Sequence, residues 1–132
     1  MIKTTPYSWD DIFIRCQEIA AEYREKKIDY IFGVTTGGII PAFVIASLMK
    51  KDYLYSNIRP SKEKTNIHGT PNILIIDDIE DTGKTKKVIT GMFVKGCKIH
   101  FEALFKAKKG NWALFPWENL SQDHVNTRQT KI

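Results

Sequence analysis

An α/β fold with a mainly parallel sheet is what this chain predicts, and three stretches predict it. Ile73 to Ile76 is an unbroken Ile/Leu run, as expected of a strand covered on both faces. Ile28 to Val34 and Ile99 to Phe105 are two further apolar segments of strand length. Helical patterns lie between them, and strands that alternate with helices pair in parallel. Connections are then expected to be right-handed, with a site outside the carboxyl ends of the strands.

The elements follow in order. Ser8 is placed to cap a first helix, with Asp11 completing a capping box and Tyr7 and Ile12 a hydrophobic staple. Trp9, Ile12, Phe13, Cys16, Ile19, Ala20 and Tyr23 recur at helical spacing and should pack on the sheet. After the strand at Ile28 to Val34, "TTGGIIPAFVIASLMKK" reads as a loop and a helix, with Pro41 in the first turn where its missing N–H costs least. Tyr53 to Ile58 is a short strand. Arg59 to Asn72 is polar, contains two Pro and one Gly, and reads as a loop or irregular hairpin. A strand at Ile73 to Asp77, a helix at Lys84 to Lys95 and a strand at Ile99 to Phe105 complete the core. Residues 1–120 are expected to form one domain, and 121–132 a polar, mobile tail.

A chain of 132 residues suits a single core. Its 42% apolar and 11% aromatic content is ordinary for a globular protein. No apolar run approaches a membrane span or a secretory signal, so a cytoplasmic location is expected. The two cysteines, Cys16 and Cys97, are expected as free thiols, and the three histidines share no metal-ligand spacing with them. The net charge of +5 is concentrated in Lys84, Lys86, Lys87, Lys95, Lys98, Lys106, Lys108 and Lys109, with Glu102 the only acid from Lys84 to Lys109. Such a field attracts small phosphorylated molecules, and much of it is simply a solvated face.

The stretch "ILIIDDIEDTGKT", Ile73 to Thr85, is the most informative in the chain. A buried strand runs into Asp77 and Asp78, then Asp81, then a loop whose Thr82, Gly83 and Thr85 offer backbone N–H groups and hydroxyls to an anion. Acids for hydroxyls beside a cradle for phosphate suit a sugar phosphate. Three other motifs fail. A P-loop needs a Gly five positions before Gly83, where Asp78 stands. Gly33 to Gly37 has the outline of a nucleophile elbow, but with Thr35 for Ser. A receiver-type acidic pocket opens on the first strand of its domain, and would leave the Thr-Gly-Lys-Thr loop unexplained.

"ILIIDDIEDTGKT" closely resembles the phosphoribosyl-diphosphate motif of the type I phosphoribosyltransferases. "FGVTTGGIIPA", Phe32 to Ala42, resembles their pyrophosphate loop, and "NWALFPWE", Asn111 to Glu118, resembles the purine-contacting segment of the xanthine-guanine and hypoxanthine enzymes. "YSWDDI" is similar to their opening. The resemblance covers Tyr7 to Leu120. It implies a single-domain, Rossmann-like three-layer fold, with a mainly parallel twisted sheet flanked by helices. It also implies transfer of the 5-phosphoribosyl group from phosphoribosyl diphosphate (PRPP) to a 6-oxopurine, with release of pyrophosphate, in nucleotide salvage.

By the same resemblance, Asp77 and Asp78 hold the ribose hydroxyls directly or through Mg²⁺, and Asp81 takes a proton from purine N7. Thr82, Gly83, Lys84 and Thr85 cradle the 5′-phosphate. Thr35, Thr36, Gly37 and Gly38 form the pyrophosphate loop, which in this family often holds a non-proline cis peptide. Trp112 stacks on the base, Ala113 offers backbone groups, and Lys106 or Lys108 donates to the 6-oxo group, with Lys106 slightly favoured. Trp117 and Glu118 are expected to be structural, with Glu118 near the base or a metal as the alternative. Two departures stand out. Thr36 replaces the Arg or Lys common in the purine enzymes, leaving Arg59 or Lys62 to supply the charge. Only Asn57 to Asn72 fills the place of a longer flexible hood, so the hood is shortened. The expected partners are PRPP, a purine base and a second copy of the chain in a dimer or higher oligomer; no membrane or nucleic acid is expected. Two alternatives stay open: a different base, or a non-catalytic nucleotide sensor that binds nucleic acid or protein.

Overall fold

The computed structural model describes residues 3–49 and 54–118. The expected strand start at Tyr53 and the tail from Ser121 lie outside them. In chain order the elements are β1 (Lys3–Pro6), α1 (Trp9–Arg24), β2 (Tyr30–Val34), α2 (Ile39–Met49), β3 (Leu54–Ile58), β4 (Asn72–Glu80), α3 (Lys84–Thr90), β5 (Lys98–Lys106) and β6 (Asn111–Leu114).

Four strands form one sheet in the order β3-β2-β4-β5, and every pair in it is parallel. The apolar run of β4 is explained by its two faces. Leu74 and Ile76 enter a core with α1 and α2, through Ile12, Cys16, Ile19, Ala42 and Ile45. Ile73 and Ile75 enter a second core with Ile89, Met92 and Phe93 from α3 and the turns after it. With side chains alternating along the strand, both faces must be apolar. The result is three layers, as expected.

Chain direction fixes the site. From β2 the chain crosses through α2 to β3 on one side, and from β4 through α3 to β5 on the other. The loops leaving β2 and β4 therefore diverge from adjacent strands. That crevice is the topological switch point, where ligands of open α/β sheets bind.

The α1 cap is as expected: Ser8 Oγ accepts from Asp11 N at 3.1 Å and Asp11 Oδ2 from Ser8 N at 2.9 Å. The inward stripe is narrower than its spacing suggested. Ile12, Cys16, Ile19, Ala20 and Tyr23 are buried, while Trp9 and Phe13 are 51% and 46% exposed. Trp9 sits in the first turn and meets Trp117 at 6.1 Å between ring centres. α3 stops at Thr90 rather than Lys95, where Gly91 ends it and Met92 and Phe93 fold inward. Both cysteines are free thiols, and burial raises the Cys16 thiol to about 12.

A small sheet was not anticipated. β1 and β6 pair in parallel, Lys3 opposite Asn111 through Pro6 opposite Leu114. Tyr7 anchors it by stacking on Phe105 at 4.0 Å and Phe115 at 5.4 Å. The segment from Arg59 to Pro71 carries no helix or strand and is tied to the body. Thr65 N donates to Met92 O at 2.7 Å, Lys64 Nζ to Gly91 O, and Ile67 packs on the second core. In place of a long hood, this short segment lies along the α3 side of the sheet.

Candidate active site

The β2 loop reaches the crevice through two glycines. A Cβ on Gly37 would lie 2.0 Å from Asp78 Oδ2, and one on Gly38 2.2 Å from Ile76 O. No side chain fits at either position, so this loop backbone lies flush against the acidic end of β4. Thr35 N donates to Ile58 O and Gly38 N to Val34 O, each at 2.8 Å. The Thr35–Thr36 peptide is cis, as the resemblance implies for a pyrophosphate loop.

β4 continues past its apolar run into the acids. Asp77 is only 8% exposed, and Asp78 N donates to its Oδ1 at 2.8 Å. Ile79 N donates to Asp78 Oδ1 at 2.7 Å. Burial first, and the adjacent Asp78 carboxylate second, push the Asp77 carboxyl well above the usual carboxylate range. This is the one buried charged side chain among the described residues. A buried carboxylate this close to another is expensive unless a donor or a cation answers it.

From there Asp78, Asp81, Thr82, Gly83, Lys84 and Thr85 line a cleft of about 240 Å³, with Lys86 and Phe101 closing it. Thr82 Oγ1 accepts from Lys84 N at 3.3 Å, which tightens the turn into α3. Lys86 and Phe101 were not anticipated. Lys86 falls just beyond the recognisable motif, and Phe101 comes from the neighbouring strand β5.

A second cleft, of about 260 Å³, opens beside the first. The β4 end contributes Asp78, Ile79 and Asp81. Ala107, Asn111, Trp112, Ala113, Phe115 and Glu118 come from the turn after β5, from β6 and from beyond it. Trp112 is 64% exposed, so it is a presented ring rather than a core residue. Asp78, Ile79 and Asp81 thus belong to both clefts. Sequence reading found Trp112 and Ala113 here but not Asn111 or Phe115. Asn111 directly precedes Trp112, on the same short strand.

Lys106 and Lys108 fall elsewhere. They line a crevice of about 10 Å³ with Thr5, Tyr7, Ile79, Asn111 and Ala113, while Ala107 between them faces the aromatic cleft. Strand alternation put both lysines on one face, as expected, with Ala107 on the other. Among the described residues no group of three or more His, Cys, Asp or Glu side chains is arranged to hold a metal. The carboxylates lining the first cleft are those of Asp77, Asp78, Glu80 and Asp81.

No family model matches the chain. Among curated proteins, the xanthine-guanine phosphoribosyltransferase of Desulfotalea psychrophila is 26% identical, over 91% of this chain and 89% of its own length. That of Chromohalobacter salexigens is 24% identical, over 84% and 82%. Among solved structures, a purine phosphoribosyltransferase from Pyrococcus horikoshii Ot3 superposes with a TM-score of 0.66 at 26% identity, covering 88% of this chain and 94% of its own. The Helicobacter pylori xanthine-guanine-hypoxanthine phosphoribosyltransferase shares the fold, with a TM-score of 0.74 at 15% identity over 93% and 99%. With the joined clefts, the flush glycine loop and these likenesses in agreement, the chain has the fold of the type I phosphoribosyltransferases and is similar to their 6-oxopurine members.

Proposed function

We propose that the protein transfers the 5-phosphoribosyl group of PRPP to a 6-oxopurine, releasing pyrophosphate. The observation that carries this reading is the shared wall of the two clefts. A sugar phosphate in the first and a base stacked on Trp112 in the second both meet Asp78 and Asp81. Relatives named for xanthine, guanine and hypoxanthine support the choice of base.

The chemistry follows from that placement. The purine N9 forms a bond to the anomeric carbon as the bond from that carbon to pyrophosphate oxygen breaks. The departing oxygen keeps the electron pair. Positive charge develops on the ribosyl ring, and holding both reactants in register supplies much of the acceleration. Asp81 accepts the proton that purine N7 gives up. Asp77 and Asp78 accept hydrogen bonds from the ribose hydroxyls, which relieves their enforced proximity. The backbone of Thr82 to Thr85 holds the 5′-phosphate, and that of Thr35 to Gly38 faces the pyrophosphate.

The donor set fits Mg²⁺. Two hard carboxylates, one of them buried and under repulsion, suit a cation that takes its remaining ligands from water and diphosphate. When bound, Mg²⁺ would neutralise charge on the leaving pyrophosphate. Thr36 brings none, so we assign that side-chain charge to Arg59. This residue follows Ile58, whose carbonyl already accepts from Thr35 N. The lining of the aromatic cleft supplies no lysine for the purine 6-oxo group, since Lys106 and Lys108 flank the separate crevice.

No helix among the described residues is long and apolar enough to cross a membrane, and we place the enzyme in the cytoplasm. We also expect it to pair with itself through α2. That helix has no charged residue from Ile39 to Met49, and its Phe43 is 62% exposed. An uncharged helix that leaves a large apolar side chain in solvent suits a partner. Incubation with PRPP, Mg²⁺ and a panel of bases, with assay of pyrophosphate, tests the proposed reaction.

A further inference from the structure

We infer that Glu118 reads the C2 edge of the purine and makes the pocket selective for guanine over xanthine. The inference rests on the transferase reading above, with the base seated on Trp112.

The polar side chains of the aromatic cleft are Asp78, Asp81, Asn111 and Glu118. Asp78 is committed to the ribose side, where Gly37 presses on it, and Asp81 to N7. Asn111 and Glu118 are left for the edge carrying N1 and C2. Glu118 is held in place from behind: its Oε2 accepts from Phe115 N at 3.3 Å, and its own N–H donates to Phe115 O at 3.0 Å. Its side chain is half-buried in this arrangement, so the carboxylate is positioned rather than free in solvent.

The three candidate bases differ in what they show at that edge. Guanine presents two donors side by side, N1–H and the 2-amino group, and a carboxylate accepts both in a bidentate fork. Hypoxanthine presents only N1–H. Xanthine presents a 2-oxo acceptor and carries partial negative charge near neutral pH, so it sets oxygen against oxygen. The lining includes no Lys or Arg to offset that. Lys106 and Lys108 flank a separate crevice, and a lysine at the 6-oxo group would not discriminate, because all three bases carry that oxygen. A buried acceptor facing an acceptor is strongly rejected, more so than a missing contact.

Steady-state kcat/KM for guanine, hypoxanthine and xanthine, in the wild type and in Glu118→Gln, tests the assignment. Gln keeps an oxygen for Phe115 N but replaces the other with a donor. The wild type should rank guanine first and xanthine last, with guanine ahead by about tenfold or more. Glu118→Gln should lower guanine by about tenfold, spare hypoxanthine more, and raise xanthine. Hypoxanthine turnover also reports whether the variant is folded. Equal or better use of xanthine by the wild type would overturn the assignment, as would a variant that moves all three bases alike. Pyrophosphate release with none of them would overturn the transferase reading and this assignment together.

Discussion

Asp77 is where fold and function pull in opposite directions. Its carboxyl group is buried beside that of Asp78, whose backbone N–H donates to it and whose side chain is its other polar neighbour. Such a buried acid costs stability, and under the proposed function a ligand would answer it. Asp77→Asn keeps the shape and removes the charge. It should raise the melting temperature of the ligand-free protein by about 5 °C and lower kcat/KM by about 100-fold. Thermal melts beside the activity assay check both directions at once. Among single residues, Asp77 and Asp78 near the end of β4 and Asp81 just after it stood out, because an apolar strand seldom runs into two carboxylates. Asn111 and Phe115 of the aromatic cleft did not, because they acquire meaning only when β6 lies beside the β4 loop. Lys106 and Lys108 illustrate the same limit: alternation gave their common face, but not that Ala107 faces the aromatic cleft.

At the scale of elements, the loop between β2 and α2 is defined by what it lacks. Gly37 has no room for even a methyl group, since Asp78 Oδ2 lies 2.0 Å from where a Cβ would stand. Gly37→Ala should therefore displace the loop or the Asp78 side chain while leaving both cores untouched. The expected result is a loss of about 100-fold in kcat/KM with near wild-type circular dichroism, because small misplacements of reactants are costly. Elements with strong local signals were read correctly. The α1 cap, the apolar run of β4 and the glycine-rich loop each follow from chemistry within a few residues. β1 and β6 are only four residues long and unpatterned, and their pairing joins positions about a hundred residues apart. Trp9 and Phe13 fit the helical stripe by spacing alone, yet the neighbouring elements leave them at its edge.

Across the whole molecule, net charge and apolar surface are kept apart. The chain carries +5, and its lysines gather after β4, while α2 has no charge at all. Like-charged copies repel, so a self-pairing surface belongs on the neutral helix, where an isologous contact sets no charge against itself. Phe43→Glu should convert a dimer seen by sedimentation to a monomer, and an unchanged sedimentation coefficient would refute pairing through α2. Because α2 begins at the pyrophosphate loop, pairing would also steady the site from behind. The parallel core was legible at this scale from strand–helix alternation, and its crevice from the rule for open α/β sheets. How the short segment at Arg59 to Pro71 lies on the body was not, because its anchors are backbone groups around the end of α3.

The two clefts that share Asp78 and Asp81 are proposed to form one transferase site. Pyrophosphate release tests this most directly, measured with PRPP, Mg²⁺ and guanine, hypoxanthine, xanthine, adenine, uracil or orotate, for the wild type and Asp81→Asn. Release should occur with 6-oxopurines alone and fall by about 100-fold or more in the variant. Absence of release with every base, or release that Asp81→Asn leaves unchanged, would contradict the account.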